Sequence, residues 1–206
     1  MTDSPPPYFD PLSTEDLTTI ICSRFERERP RSLANDLPRF LGSGLYAIYY
    51  VAGTDELYAP LADYKIPVYV GQSRSHNSAT GKPAKTKDPL WQRVGHHRLS
   101  IGGAANLKLG DFAIRLLLLP DVHCGLGEEG LRVGYQPIWN AILTGFGSKE
   151  QGQTTRQSAK SKWDTVHPGR ARTFGAEKHD AKNLRLRVHK RVAEQIISYS
   201  DLAWHR

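Results

Sequence analysis

Three stretches of the chain are apolar, aromatic and β-branched runs bounded by glycine or proline, and each reads as a β-strand. They are Gly44-Leu45-Tyr46-Ala47-Ile48-Tyr49-Tyr50, Pro67-Val68-Tyr69-Val70-Gly71, and Phe112 to Leu119, which Pro120 ends. Val51 to Ile66, with Gly53, Asp55 and Pro60, is longer than a tight hairpin and reads as a connection. Elsewhere the apolar spacing is helical. Leu17, Ile20, Ile21 and Phe25 follow Ser13, a helix cap with Asp16 in the place of the capping-box acid, and Pro30 stops the run. Asp88-Pro89 opens a second helix with Leu90, Val94 and Ile101 as its buried stripe. Gly127 to Gly134 predicts only a short helical turn. Ala181 to Tyr199 places Leu184, Val188, Val192 and Ile196 on one helical face, although Leu184, Leu186 and Val188 also alternate and allow a strand at its start. Gly145 to Thr173 is rich in Gly, Ser, Gln and Lys and predicts a loop extension without packed elements. Pro5-Pro6-Pro7 favours an extended N-terminus.

Length and composition narrow this picture. A chain of 206 residues suits one domain with elaborations. No apolar run is long enough to span a bilayer, and the Pro-rich, acidic first eleven residues lack the apolar segment of a secretory signal. Cys22 and Cys124 have neither metal-binding nor disulfide spacing and read as reduced core thiols. The net charge of +7 is unevenly placed. Residues 1–147 carry 15 Lys and Arg against 15 Asp and Glu; residues 148–206 carry 13 against 6. A basic block confined to one segment is the footprint of a polyanion binder. Ser73 to Lys87 adds a polar loop with Arg74, Lys82, Lys85, Lys87 and no acid, suited to closing on phosphate.

Candidate chemistry lies in the order of the motifs. Gly44-Leu45-Tyr46 and Tyr69-Val70-Gly71 are followed, twenty-two residues after Gly71, by Arg93 and one helical turn later by His97. Four apart on a helix, Arg93 and His97 share one flank. Glu128 comes next, with Leu131 at plus three, Pro137 at plus nine and Asn140 at plus twelve. Each feature alone has an ordinary structural explanation. As an ordered set over roughly Ser43 to Leu143 they resemble the GIY-YIG nuclease family.

That resemblance implies an α/β (α+β) fold with a three-stranded, mainly antiparallel sheet flanked by helices. It divides the chain into an N-terminal extension (1–42), a catalytic core (43–147) and a basic C-terminal extension (148–206). It implies Tyr46 as general base, with His97 as the competing base or a relay that accepts the phenol proton. Tyr69 orients water or phosphate, Arg93 grips the scissile phosphate, Glu128 anchors Mg²⁺ or Mn²⁺, and Asn140 braces the site. A single carboxylate without a His or Cys cluster suits a hard, hydrated ion.

The compact chain with its basic tail looks like the type II restriction branch of a prokaryotic cytoplasm. Trp163-Asp164 and His167-Pro168-Gly169-Arg170 resemble the members that cut CCGCGG. Arginine suits guanine edges, so Arg156, Arg170 and Arg172 are expected to read bases. Lys149, Lys160, Lys162 and His167 complete the expected DNA contacts. A palindrome implies a homodimer on double-stranded DNA. A structure-specific or repair nuclease, and a non-catalytic DNA-binding module on the same scaffold, are the rival readings.

Overall fold

A computed structural model describes residues 8–77, 80–147, 160–170 and 175–205. Among these, the expected strands form at Gly44–Tyr50 (β2), Pro67–Ser73 (β3) and Phe112–Leu118 (β4). They are joined by a two-residue strand, Arg31–Ser32 (β1), which is too short to carry any periodicity. The sheet thus has four strands instead of three. Its order is β1-β4-β2-β3 with every pairing antiparallel, so β3 is an edge.

The helices are α1 (Thr14–Glu26), α2 (Ala59–Tyr64), α3 (Pro89–Gly102), α4 (Asp121–Tyr135), α5 (Ile138–Ala141), α6 (Lys162–Val166) and α7 (Ala181–Ser198). Ser13 caps α1 by accepting the Asp16 amide at 3.3 Å. The buried face of α1 is Ile21, Cys22 and Phe25, with Ile20 turned to solvent. Asp88 stands at the N-cap of α3, but its carboxylate does not cap the helix; it is buried and bound by Arg39 and Gln92. Helix α7 is helical from its first turn, which excludes the strand alternative.

Two expectations fail more substantially. The turn around Glu128 is a fifteen-residue helix, α4. The described part of 145–173 is also packed rather than loose. Helix α6, capped by Ser161 accepting from Asp164 N–H at 3.1 Å, buries Trp163 and Val166 in the core.

Alternation along β2 divides the core into two faces. Leu45, Ala47 and Tyr49 face α1 and α4, where Arg115, paired with Glu26, also donates to the Tyr49 hydroxyl at 2.9 Å. Helix α4 closes on this face through Gly127, where a Cβ would stand 2.3 Å from Leu45 and 2.8 Å from Ile21. Tyr46, Ile48 and Tyr50 face the other way, toward α3 and an aromatic cluster of Tyr58, Phe112, Trp139, Phe146 and Trp163. Leu184, Val188 and Val192 of α7 complete the same core. Cys22 and Cys124 are buried free thiols. Burial pushes them up to about 12 and about 11, so neither is a ready nucleophile. No helix among the described residues is long and apolar enough to cross a membrane.

Candidate active site

The register of β2 with β3 sets Tyr46 opposite Gly71 and Ile48 opposite Tyr69, which puts both tyrosines on one face of the sheet. The Tyr46 ring lies across Gly71. A Cβ there would stand 2.3 Å from the phenol oxygen, so glycine at this position is a clearance requirement. Helix α3 crosses above and delivers two side chains to that oxygen. His97 Nε2 is 2.8 Å away, and Arg93 Nε donates at 3.2 Å. Arg93 Nη2 donates to the Gly147 carbonyl at 2.8 Å. The Tyr69 ring centroid is 6.0 Å from that of Tyr46 and 5.3 Å from that of His97. Four residues dispersed over fifty positions of sequence therefore meet.

This cluster is closed to water: Tyr46 is 0% exposed and His97 2%. Burial holds the Tyr46 phenol well above its ordinary pKa, and Tyr69 adds to this; Arg93 works in the opposite direction and does not overcome it. Burial, aided by the Arg93 charge, holds His97 well below its ordinary value. The imidazole is thus neutral, and its Nε2 is available to accept the hydrogen bond of the phenol.

Glu128 approaches from the other face of the same edge strand. It lies in a cleft of about 880 Å³, lined among others by Gln72, Arg74, Glu129, Arg132 and Asn140. Gln72 lines the cleft beside the Glu128 carboxylate and accepts from Arg74 Nε at 2.8 Å. Burial raises the Glu128 carboxyl above its ordinary value, while Gln72, Arg132, Arg74 and Arg93 pull it back. Arg93 is therefore felt on both flanks of β3. Glu129, the neighbouring acid, is exposed. Asn140 grips the strand between the flanks: Oδ1 accepts from Val70 N–H and Nδ2 donates to Val70 C=O, both at 2.9 Å.

The expected DNA readers fare differently. Arg170 is 7% exposed, forked on Asp164 and stacked over Trp163 at 4.5 Å. His167 is fully buried, between the Tyr58 hydroxyl at 2.6 Å and Asn106 Oδ1 at 3.1 Å. Arg170, expected to read bases, and His167, expected among the other DNA contacts, are both committed to internal polar contacts in this structure. Lys160 is paired with Glu177, and Lys162 is half-buried at the start of α6. Lys149, Arg156 and Arg172 lie outside the described residues.

Sequence reasoning passed over Gln72, Phe146 and Gly147. Gln72 directly follows the motif glycine, and only the strand register turns it toward Glu128. Phe146 stacks on the His97 ring, with centroids 4.7 Å apart at 17°, and no pattern in the sequence marks it.

Comparison with known proteins agrees with this geometry. A family model described as the Eco29kI GIY-YIG domain matches residues 38–196, a span that holds β2, β3, β4 and each residue of both flanks. No curated protein matches the chain significantly. The chain belongs to the Eco29kI GIY-YIG family, a family of restriction endonucleases.

Proposed function

We propose that the protein cuts double-stranded DNA at a specific, GC-rich palindromic site, with a divalent metal held by Glu128 and a proton relay from water through Tyr46 to His97. The observation that carries this reading is the meeting of Tyr46, His97 and Arg93 at one phenol oxygen beside the Glu128 cleft.

Hydrolysis of a phosphodiester requires a deprotonated water and relief of charge at the phosphorus. A free Tyr46 phenolate is disfavoured by burial, and the neutral His97 removes the need for one. As Tyr46 takes the proton of the attacking water, its own passes to Nε2 of His97; the oxygen stays neutral, and the positive charge placed on His97, which burial and Arg93 oppose, is offset by the anionic phosphate that Arg93 grips. Arg93 leaves the Gly147 carbonyl and forks onto the phosphate. Tyr69 orients the phosphate from beside Arg93, and Asn140 fixes β3 so that both tyrosines keep their register.

The residues present suit a metal that keeps most of its water. Among the described residues no three His, Cys, Asp or Glu side chains cluster, which leaves the half-buried Glu128 as the single protein anchor in an open cleft. That donor set fits Mg²⁺ or Mn²⁺ and is poor for zinc. Such an ion supplies Lewis acidity and charge neutralisation at the phosphate.

Recognition falls to the basic C-terminal extension, with Lys149, Arg156, Lys160, Lys162 and Arg172 as its remaining candidates. CCGCGG is the proposed word and a two-fold dimer the proposed assembly. Digestion of a sequenced phage DNA with Mg²⁺, followed by mapping of the ends, tests this. Discrete fragments with one shared palindrome are expected; random or junction-limited ends would sink the site-specific reading.

A further inference from the structure

The buried pair Asp164–Arg170 lies outside the catalytic cluster, and a three-residue segment, Gly145–Gly147, joins the two by hydrogen bonds. Arg170 donates from Nη1 to Phe146 C=O at 3.0 Å and from Nη2 to Gly145 C=O at 2.9 Å, while Nε and Nη2 hold the Asp164 carboxylate. Trp163 N–H donates to Thr144 C=O at 3.1 Å, tying α6 to the same segment. Every face of the Arg170 guanidinium is thus occupied by protein.

On its other side the segment touches three site residues. Phe146, 1% exposed, stacks on His97 and meets the Tyr69 ring edge-on at 4.9 Å. The Gly147 carbonyl takes Arg93. Gly147 lies so close that a Cβ would stand 2.1 Å from the Tyr69 oxygen and 3.2 Å from Arg93 Nη2.

We infer that Arg170, held by Asp164, is a positioning residue: it clamps Gly145–Gly147 as a strap that fixes the His97 ring through Phe146 and holds Arg93 at rest through the Gly147 carbonyl. The inference rests on the nuclease reading for its catalytic consequence and on contacts alone for its geometry. Arginine is needed because its planar fork serves a carboxylate and two carbonyls together, which the single ammonium of lysine does not. Losing one of these donors lets the strap shift, and the shift arrives at the imidazole. A displacement on the order of 1 Å from the reacting geometry costs about a hundredfold in rate.

The test uses the full-length protein with Arg170→Lys and, on the strap itself, Phe146→Leu. Both are checked for a cooperative melt, and the imidazole protons of His97 are followed by NMR. In the wild type those protons are shielded by the stacked Phe146 ring. The shielding is expected to be lost in Phe146→Leu and reduced in Arg170→Lys. DNA cleavage is expected to fall about tenfold to a hundredfold in kcat with a much smaller change in KM. A folded Arg170→Lys with the His97 resonances and kcat of the wild type would overturn the inference. If Arg170→Lys does not fold, Phe146→Leu decides: wild-type kcat there overturns it equally. Resonances that move as stated in a protein that cuts no DNA would retire the nuclease reading and leave the strap standing.

Discussion

The two flanks of strand β3 differ in almost every physical respect. On one, Tyr46, His97 and Phe146 form a dry aromatic pocket in which the Tyr46 oxygen is shared by His97 Nε2 and Arg93 Nε. On the other, Glu128 and Glu129 share an open, wet cleft with Arg74 and Arg132. The dry flank holds a neutral phenol–imidazole pair, where low dielectric strengthens the hydrogen bond and penalises any isolated charge. The wet flank suits hydrated cations and phosphate oxygens, which lose little water on arrival there. Dividing the chemistry this way lets one edge strand serve two incompatible environments, with Arg93 as the group felt by both.

The sharpest way to break this division is to disable each flank in turn. Glu128→Gln keeps the shape of the wet flank and removes its charge. Cleavage should fall about a thousandfold, at the upper end for loss of an electrostatic stabiliser, while DNA retention in a gel-shift assay persists. Retained cutting would move the metal elsewhere. On the dry flank, Tyr46→Phe should cost about a hundredfold in kcat as the relay is cut. It leaves His97 Nε2 and Arg93 Nε facing a ring edge, so stability should also drop by about 1–3 kcal/mol in urea unfolding. A stability loss without a rate loss would make Tyr46 a core ring only.

Gly71→Ala probes the clearance between the flanks. Its methyl would meet the Tyr46 oxygen at 2.3 Å, so β3 or the ring must move. Overpacking of this kind costs about 1–3 kcal/mol and should lower cleavage more than DNA binding. An unperturbed melting temperature would show that the ring is free to swing away.

The mildest probe is pH. Burial lowers His167 to about 3, with Arg185 acting the same way. His97 is likewise depressed. In the unfolded chain both regain a pKa near 6.5, so between that value and their folded values the unfolded state binds more protons. Stability should therefore fall as pH drops below about 6.5, by up to about 1.4 kcal/mol per pH unit for each histidine. Urea midpoints at pH 7 and pH 5 measure this, and His167→Gln should lessen the slope. A flat profile would mean that both rings are wetter than their burial indicates.

Much of the dry flank could be read from sequence, because strands and the i, i+4 spacing of Arg93 and His97 impose a fixed geometry on the residues that carry them. On the wet flank the motif spacing marked Glu128, but not the helix that presents it. Helix α4 carries Gly125, Gly127, Gly130 and Gly134, a composition that lowers helix propensity and reads as a turn. Those glycines are contact positions: Leu45 and Ile21 press on Gly127, Thr18 and Cys22 on Gly130, and Trp204 on Gly134. Tertiary packing outweighs propensity there. Residues 160–170 misled for the opposite reason. Lys160, Lys162 and Arg170 suggested a solvated basic loop, and nothing local shows that Trp163 and Asp164 draw Arg170 inward.

The Gly147 carbonyl on Arg93 carries one more consequence. A peptide oxygen is a neutral acceptor of one hydrogen bond, whereas a phosphate carries a full negative charge and can take the guanidinium fork in two parallel bonds. At rest the guanidinium is thus neither bare nor locked; it holds a weak internal tenant that an arriving anion can evict and an uncharged solute cannot. In the proposed mechanism, engagement of DNA and vacancy at Arg93 become one event, and the hydrolytic apparatus stays shuttered until there is a backbone to sever.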